Sequence, residues 1–425
     1  MKNKIYKKSI REFKLPQFSE FLTESKNTHM MHAENAVLYR GPAGVKRALE
    51  ALDDLYSMLA GTGLSDSRMV TQKWDGSPAV FFGAAPDDGA FFVAKKGIFN
   101  KNPKVYKSIA DIKADTSGDL AAKLIAVFNG FKDAGIKTIY QGDLMFTKSD
   151  IETTTHSGKK FFTFHPNTIV YAVPTDSDVG KAIKSADVGI VIHTEYKGKD
   201  YESLSASFDI NVNSLKRKMA PKVWIEDAYV KNMSSLVTMN DSDRSEVKSI
   251  LDYANRVFTR AGRGVLTELE KNSDLATQIE AFQNSFIRSG VKVGDAKQHV
   301  NDLIRWFNAR FEKEIEKRKT EAGKGKIAEK RDAMMAFFSD SNKRELQQIF
   351  ELQFAMASAK DILFAQLEKI KSIDTFVLTK DGLRVTGTEG YVIVDKLDSK
   401  TYKIVDRMEF SQNNFSQDII KKWMR

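Results

Sequence analysis

The feature that most constrains this chain is its hydrophobic period, which changes twice along its length. Between Val70 and Phe208 the apolar residues form short β-rich runs broken by Gly, Pro, Asn and Asp, at Ala79 to Gly83, Ala90 to Ala94, Lys137 to Phe146, Thr168 to Val173 and Val188 to Tyr196. One helical stretch, about Leu120 to Ala134, lies among them. From about Leu215 to Ile370 the spacing becomes helical. Val247, Ile250, Leu251, Ala254, Val257 and Phe258 form one stripe, Val300, Leu303, Ile304, Phe307 and Phe311 a second, and Leu346, Ile349, Phe350, Phe354 and Ala357 a third. Strand texture returns after Ser372, at Thr375 to Thr379, Gly390 to Asp395 and Thr401 to Val405. Such a chain is expected to be α+β, with one antiparallel-sheet domain interrupted by a mainly helical insertion and completed by C-terminal strands. The predicted boundaries are 1–35 for a basic N-terminal arm, 36–209 for the first part of the sheet domain, 210–372 for the helical insertion and 373–425 for the closing strands.

Composition narrows the function classes. At 425 residues, 42% hydrophobic and 29% charged, the chain has room for two or three domains and is not largely disordered. The absence of cysteine excludes disulfides, cysteine nucleophiles, zinc–thiolate sites and iron–sulfur clusters. No apolar run approaches the roughly 18 to 20 residues of a membrane span, and the basic segment Met1 to Lys14 has no apolar stretch after it, so a spanning or classically secreted protein is not expected. The net charge of +10 leans towards polyanionic partners. The arm carries Lys2, Lys4, Lys7, Lys8, Arg11 and Lys14 against Glu12, and then an amphipathic patch from Phe18 to Glu24. Behind it, Val45, Ala48, Leu49, Leu52 and Leu55 predict a helix from about Gly41 to Ala60, ended by Gly61 and Gly63.

The most informative stretch is Thr71-Gln72-Lys73-Trp74-Asp75-Gly76-Ser77-Pro78, just before the first predicted strand. Asp75-Gly76 predicts a tight turn that holds Lys73 at the mouth of the sheet. Further along come Phe91-Phe92-Val93-Ala94-Lys95-Lys96-Gly97, Ile139-Tyr140-Gln141-Gly142-Asp143-Leu144, Thr388-Glu389-Gly390-Tyr391-Val392 and Thr401-Tyr402-Lys403-Ile404-Val405, each on its own predicted strand. In this order they resemble the five motifs of the covalent nucleotidyltransferases, the superfamily of polynucleotide ligases and messenger-RNA capping enzymes. Lys-x-Asp-Gly is similar to its nucleophile motif, and Asp143 stands where the family more often has Glu.

The resemblance implies an ATP-grasp-like DNA/RNA-ligase domain in which Lys73 attacks the α-phosphate of ATP. It implies Mg2+ on Asp143 and Glu389, and a nucleotide pocket drawn from Gln72, Asp75, Gly76, Lys96, Asp143, Tyr171, Glu389 and Lys403. Lys96 and Lys403 would balance charge as pyrophosphate leaves, Asp75 would contact ribose or orient Lys73, and Tyr171 would stack on the purine. The chemistry is consistent with that set, because phosphoryl transfer asks for positioning, cations and a nucleophile of lowered pKa more than for elaborate covalent steps.

Lys403 lies 22 residues before Arg425, too few for the OB-fold domain that follows the fifth motif in DNA ligases and capping enzymes. The Glu389-Gly390-Tyr391-Val392 spelling is most similar to the phage RNA-ligase-1 type, which joins RNA 5′-phosphate to 3′-hydroxyl ends. That family has a second lysine where this chain has Val405, which bears on the sealing step. RNA is therefore the expected partner, held by phosphate contacts whose strength falls steeply with salt, in the cytoplasm of an infected bacterial host. Two alternatives stay open. One is a DNA end or nick ligase. The other is a packaged phage virion protein on a degenerate nucleotidyltransferase fold, since the Phe18 to Glu24 patch resembles the targeting segments of tailed-phage internal head proteins. His29 and His32, three apart with Glu34 beyond, read as an arm or phosphate-contacting loop in preference to a metal site. His165 and His193 read as structural or substrate-lining. No P-loop or dinucleotide-binding glycine pattern is present.

Overall fold

The computed structural model describes residues 30–63, 68–208, 210–228, 239–369, 373–396 and 400–422. Most of the predicted arm, with the Phe18 to Glu24 patch and His29, lies outside the described residues. Strand β1 (Met31–His32) leads into helices α1 (Ala36–Tyr39) and α2 (Gly41–Leu59). Strands β2 (Arg68–Lys73), β3 (Ala79–Ala84), β4 (Phe91–Ala94) and β5 (Val105–Tyr106) precede α3 (Ile109–Asp115) and α4 (Gly118–Phe131). Next come β6 (Ile139–Thr147), β7 (Glu152–His156), β8 (Lys159–Phe164), β9 (Ile169–Pro174), α5 (Asp178–Ser185), β10 (Val188–Lys197), β11 (Ser205–Ser207), α6 (Asn213–Met219) and β12 (Val223–Asp227). A run of helices follows: α7 (Asp241–Arg260), α8 (Arg263–Lys271), α9 (Ser273–Arg288), α10 (Ala296–Glu316), α11 (Glu321–Met335) and α12 (Asp340–Glu368). The chain closes with β13 (Asp374–Thr379), β14 (Gly382–Val385), β15 (Gly390–Asp395), β16 (Thr401–Ile404) and α13 (Arg407–Phe415). The protein is α+β, and its sheets are mainly antiparallel.

Among the described residues three sheets carry the fold. The first has the order β1-β16-β15-β2, the second β11-β10-β6-β3-β4-β5 with β12 also on β10, and the third β14-β13-β9-β8-β7. The C-terminal strands are thus divided, with β13 joining β9 and β15 joining β2. In the first sheet the strand period of two separates the faces. Val70, Tyr391, Ile393, Tyr402 and Ile404 are buried in one core with α2, α7 and α12, leaving the alternate residues on the other face.

One predicted boundary needs correction. The helical run starts at Asp241 and not at 210, because Val223–Asp227 extends the second sheet parallel to β10. Helix α2 packs with the later helices, Val45, Leu49, Leu52 and Leu55 sharing a core with Leu251, Leu266 and Leu363. Between α10 and α11 the chain turns, and the start of α11 is set by Thr320, the N-cap that accepts the Gly323 N–H at 3.1 Å.

A buried ion pair fastens the start of the chain to the insertion. Lys360 of α12 lies 2.7 Å from Glu34, and both side chains are about fully enclosed, at 1% and 2% exposure. Arg407 reaches the same carboxylate at 3.4 Å. Burial alone would push the Glu34 carboxyl up, but Lys360, His32 and Arg407 together hold it down, to about 2. Removing one partner of such a pair strands a charge in the interior. Lys360→Met is expected to cost about 3 kcal/mol or more in denaturant unfolding, and Glu34→Gln with Lys360→Met to recover much of it. Because the folded pKa lies below the unfolded 4.5, the carboxylate's contribution is present above pH 4.5 and is withdrawn as pH falls towards 2. Calorimetry across that window, wild type against the double variant, reads it.

Candidate functional site

Lys73 ends β2, and the two residues after it turn inward while it does not. Trp74 is buried, stacked on Tyr171 at 5.3 Å and edge-on to Trp224 at 6.3 Å. Asp75 is buried too, and its carboxylate accepts from Asn167 Nδ2, Thr168 N–H and Ile169 N–H, each at 2.7 Å. Its own N–H donates to the Tyr171 hydroxyl at 2.7 Å. Burial pushes the Asp75 carboxyl up, against the pull of those three donors. Trp74 and Asp75 thus anchor the turn in the aromatic core beneath β9, and they fix where Lys73 stands. Gly76 lets the turn lie against β6, since a Cβ there would sit 2.5 Å from Asp143 Cβ.

The partners of Lys73 come from the far end of the sequence. Strand β15 runs antiparallel to β2 with Gly390 opposite Lys73, and Lys73 forms an ion pair with Glu389. The segment that delivers Glu389 is held from two sides. Glu368 of α12 accepts the Thr388 N–H at 3.0 Å and its hydroxyl at 2.5 Å, while Glu409 of α13 accepts the Gly387 N–H at 3.0 Å. On the adjacent strand Lys403 lies opposite Val392, which lies opposite Thr71, so Lys403 shares the Lys73 face, and His32 of β1 joins that row. Burial lowers the Lys403 ammonium, and repulsion from Lys73 lowers it further. Burial raises the Glu389 carboxyl to about 7, with Asp75 and Asp143 adding to the rise against the attraction of Lys73.

Asp143 lies opposite Ala79 of β3 and Val191 of β10, and it is close enough to Glu389 to repel it. His193 sits in a β-bulge between Ile192 and Thr194, with its Nε2 3.8 Å from Asp143 Oδ2 and its Nδ1 2.7 Å from Thr194 Oγ1. Lys96 follows β4. There it opens a short 3-10 turn, Lys96–Phe99, and is exposed. Asp143 and Glu389 offer the hard oxygen donors that suit Mg2+, which takes one or two protein carboxylates and keeps several waters. Asp75 is not a third ligand, since its oxygens are engaged by three N–H donors. Among the described residues no three His, Asp or Glu side chains form a ready-made metal cage.

Lys73, Asp75, Gly76, Asp143, Glu389 and Lys403 therefore come together, while Lys96 is exposed on the turn after β4. Two predicted site residues do not join them. Gln72 alternates to the opposite face of β2 and pairs in register with Tyr391, towards the helical core. Tyr171 is fully buried between Trp74 and Phe164, with Phe164 stacked at 5.4 Å, so its ring has no face left for a purine. His193, read from the sequence as structural or substrate-lining, borders Asp143, and His32, read as part of an arm or phosphate-contacting loop, lies on the two-residue strand β1. A bulge and a two-residue strand carry no periodicity that would reveal them. Asp75→Asn, which turns an acceptor towards three donors into an amide, is expected to cost about 2–3 kcal/mol by denaturant unfolding. Gly76→Ala is expected to cost about 1–3 kcal/mol by displacing the turn from Asp143.

No curated protein and no solved structure matches this chain. A family profile does match, and it spans residues 27–419, which takes in β1, all three sheets and the helical insertion. The chain belongs to that family, which is described as a family of unknown function, DUF6267.

Proposed function

We propose that the protein is an ATP-dependent RNA ligase working through a covalent lysyl-AMP on Lys73. The observation that carries this reading is the convergence of three distant segments. Lys73 ends β2, Glu389-Gly390 opens the neighbouring β15 and Lys403 lies on β16 beside it. Lys73 Nζ would bond to the α-phosphorus of ATP as the bond from that phosphorus to the bridging oxygen breaks and pyrophosphate leaves. Lys73 would shed its ammonium proton to solvent before the attack, with Glu389 holding the side chain in place. Lys403 and Lys96 would face the phosphate charge, and His193 would border Asp143. Bound by Asp143 and Glu389, Mg2+ would supply further neutralisation. The adenylate would next pass to an RNA 5′-phosphate, and a 3′-hydroxyl would displace AMP. The small cavity touching Asp75 and Glu389 holds only about 20 Å³, so the nucleotide would lie on the open Lys73 face.

One observation favours a second reading for the last step. Val405, at the position of the second lysine in the RNA-ligase-1 type, is buried and packs on Gly390, where a Cβ would lie 2.2 Å from Val405 Cγ1. Adenylation without efficient sealing is the function this departure supports. The test incubates the protein with Mg2+ and α-labelled ATP or GTP, after stripping bound AMP with pyrophosphate. Label from ATP that survives denaturation, is released by acid and is lost in Lys73→Ala is the expected result. Glu389→Ala is expected to lower labelling at least a hundredfold. No label in the wild type would move the weight to the packaged binding protein.

A further inference from the structure

Between the helices of the insertion runs an apolar groove with an acidic rim, on a chain whose net charge is +10. It encloses about 610 Å³ among α7, α9, α10 and α12, and the Asp406–Met408 segment closes one side. Ile250, Phe286 and Phe354 are half-buried on its floor, while Tyr253 and Val291 stand open to solvent at 40% and 49% exposure. Around this floor stand the carboxylates of Glu246, Glu351, Asp361 and Asp406, against Lys292, which lies 3.9 Å from Asp361. Lys360 and Arg407 also border the groove, but both are engaged by the buried Glu34. Burial pushes the Asp361 carboxyl up, and repulsion from Asp406 adds to the rise. An apolar floor ringed by polar groups marks a docking surface, and an acidic ring selects an amphipathic segment of the opposite charge.

The chain itself carries a segment of that chemistry. Tyr6, Ile10 and Phe13 fall at i, i+4 and i+7, the spacing by which a helix lays anchors in a groove, and Lys4, Lys7, Lys8, Arg11 and Lys14 surround them against Glu12. Residues 1–29 lie outside the described residues, and the described chain begins at Met30 and runs on as β1, in register with β16. Strand β16 leads into Asp406–Met408, which line the groove. Sixteen residues separate Phe13 from Met30, and fully extended they reach about 50 Å, further than the roughly 30 Å length of α7. Such a tether keeps the segment near the groove at a high effective concentration. A phosphate backbone would meet the acidic rim, so nucleic acid is not the occupant this face suits. We propose that residues Tyr6 to Lys14 of the N-terminal arm dock in this groove, with their apolar side chains on its floor and their lysines against its rim. The proposal does not rest on the reading of Lys73.

Because the chain has no cysteine, two engineered thiols report the contact in the full-length protein. Ser9→Cys places one within the segment, and Ser358→Cys places the other at the exposed rim of the groove. With a short bismaleimide the expected product is a cross-link within one chain. Adding Phe13→Ser, or Glu246→Lys together with Glu351→Lys, is expected to slow its formation about tenfold. Lys7→Glu with Lys8→Glu is then expected to restore the rate on the reversed rim, which separates charge recognition from a disturbed helix. Tether and thiol positions stay the same throughout, so the reach of the arm alone cannot produce these changes. No cross-link, or one that the anchor and charge variants leave unchanged, would overturn the proposal. A product joining two chains in dilute solution would overturn it as well, assigning the groove to the arm of a second copy.

Discussion

Pairing of β15 with β2 is the constraint on which the rest of the molecule depends. Thr71 and Val392 are 321 positions apart, yet the Thr71 hydroxyl donates to the Val392 carbonyl at 3.4 Å within a ladder running from Gly390–Lys73 to Asp395–Arg68. Loop closure over that distance costs little more than over half of it, because the entropy grows only with the logarithm of length. What must offset it is specific, and several contacts do so. Arg68, 8% exposed, joins Asp54 of α2 and lies 3.5 Å from both Glu50 and Asp395. The inner face of the sheet buries Tyr391, Ile393, Tyr402 and Ile404 against the helices. The helical insertion is thus the body on which the site's strands are laid down, and Glu368 at its end helps to set Glu389 in place.

The site itself comes from a division between buried and open polar groups. Asp75 is buried with its hydrogen bonds complete, and this fixes the turn. Glu389 and Lys403 are partly desolvated beside Lys73, so their protonation preferences move in opposite directions, the carboxyl up and the ammonium down. A cluster of three carboxylates and two lysines at the mouth of two sheets is costly to assemble without a ligand to share its charge. That cost is a physical reason to read the cluster as functional.

Much of this was legible in the sequence, for reasons that differ from element to element. Strands β3, β6, β10 and β15 declared themselves because each is a run of apolar residues between turn residues, and α7, α10 and α12 because their buried stripes keep helical spacing over several turns. Strand β2 did not, since Met69 and Val70 are both buried and the alternation is lost. Strand β12 hid in polar surroundings, and only its parallel pairing with β10 gives it a place. The acids and lysines of the site were legible through their order along the chain. Tyr171 was misplaced because a core aromatic and a stacking aromatic look alike until their neighbours are known. Gln72 was misplaced because adjacency in sequence puts it on the wrong side of a strand.

If Lys73 is the proposed nucleophile, the nucleotide adduct lies on its Nζ and can be located by mapping. The protein would be incubated with ATP and Mg2+, digested under conditions that preserve phosphoramidates, and its peptides mapped by mass spectrometry. The expected result is a single AMP on Lys73, within the peptide carrying Trp74-Asp75-Gly76. AMP on another lysine, or none on any peptide while the protein still binds ATP, would contradict it.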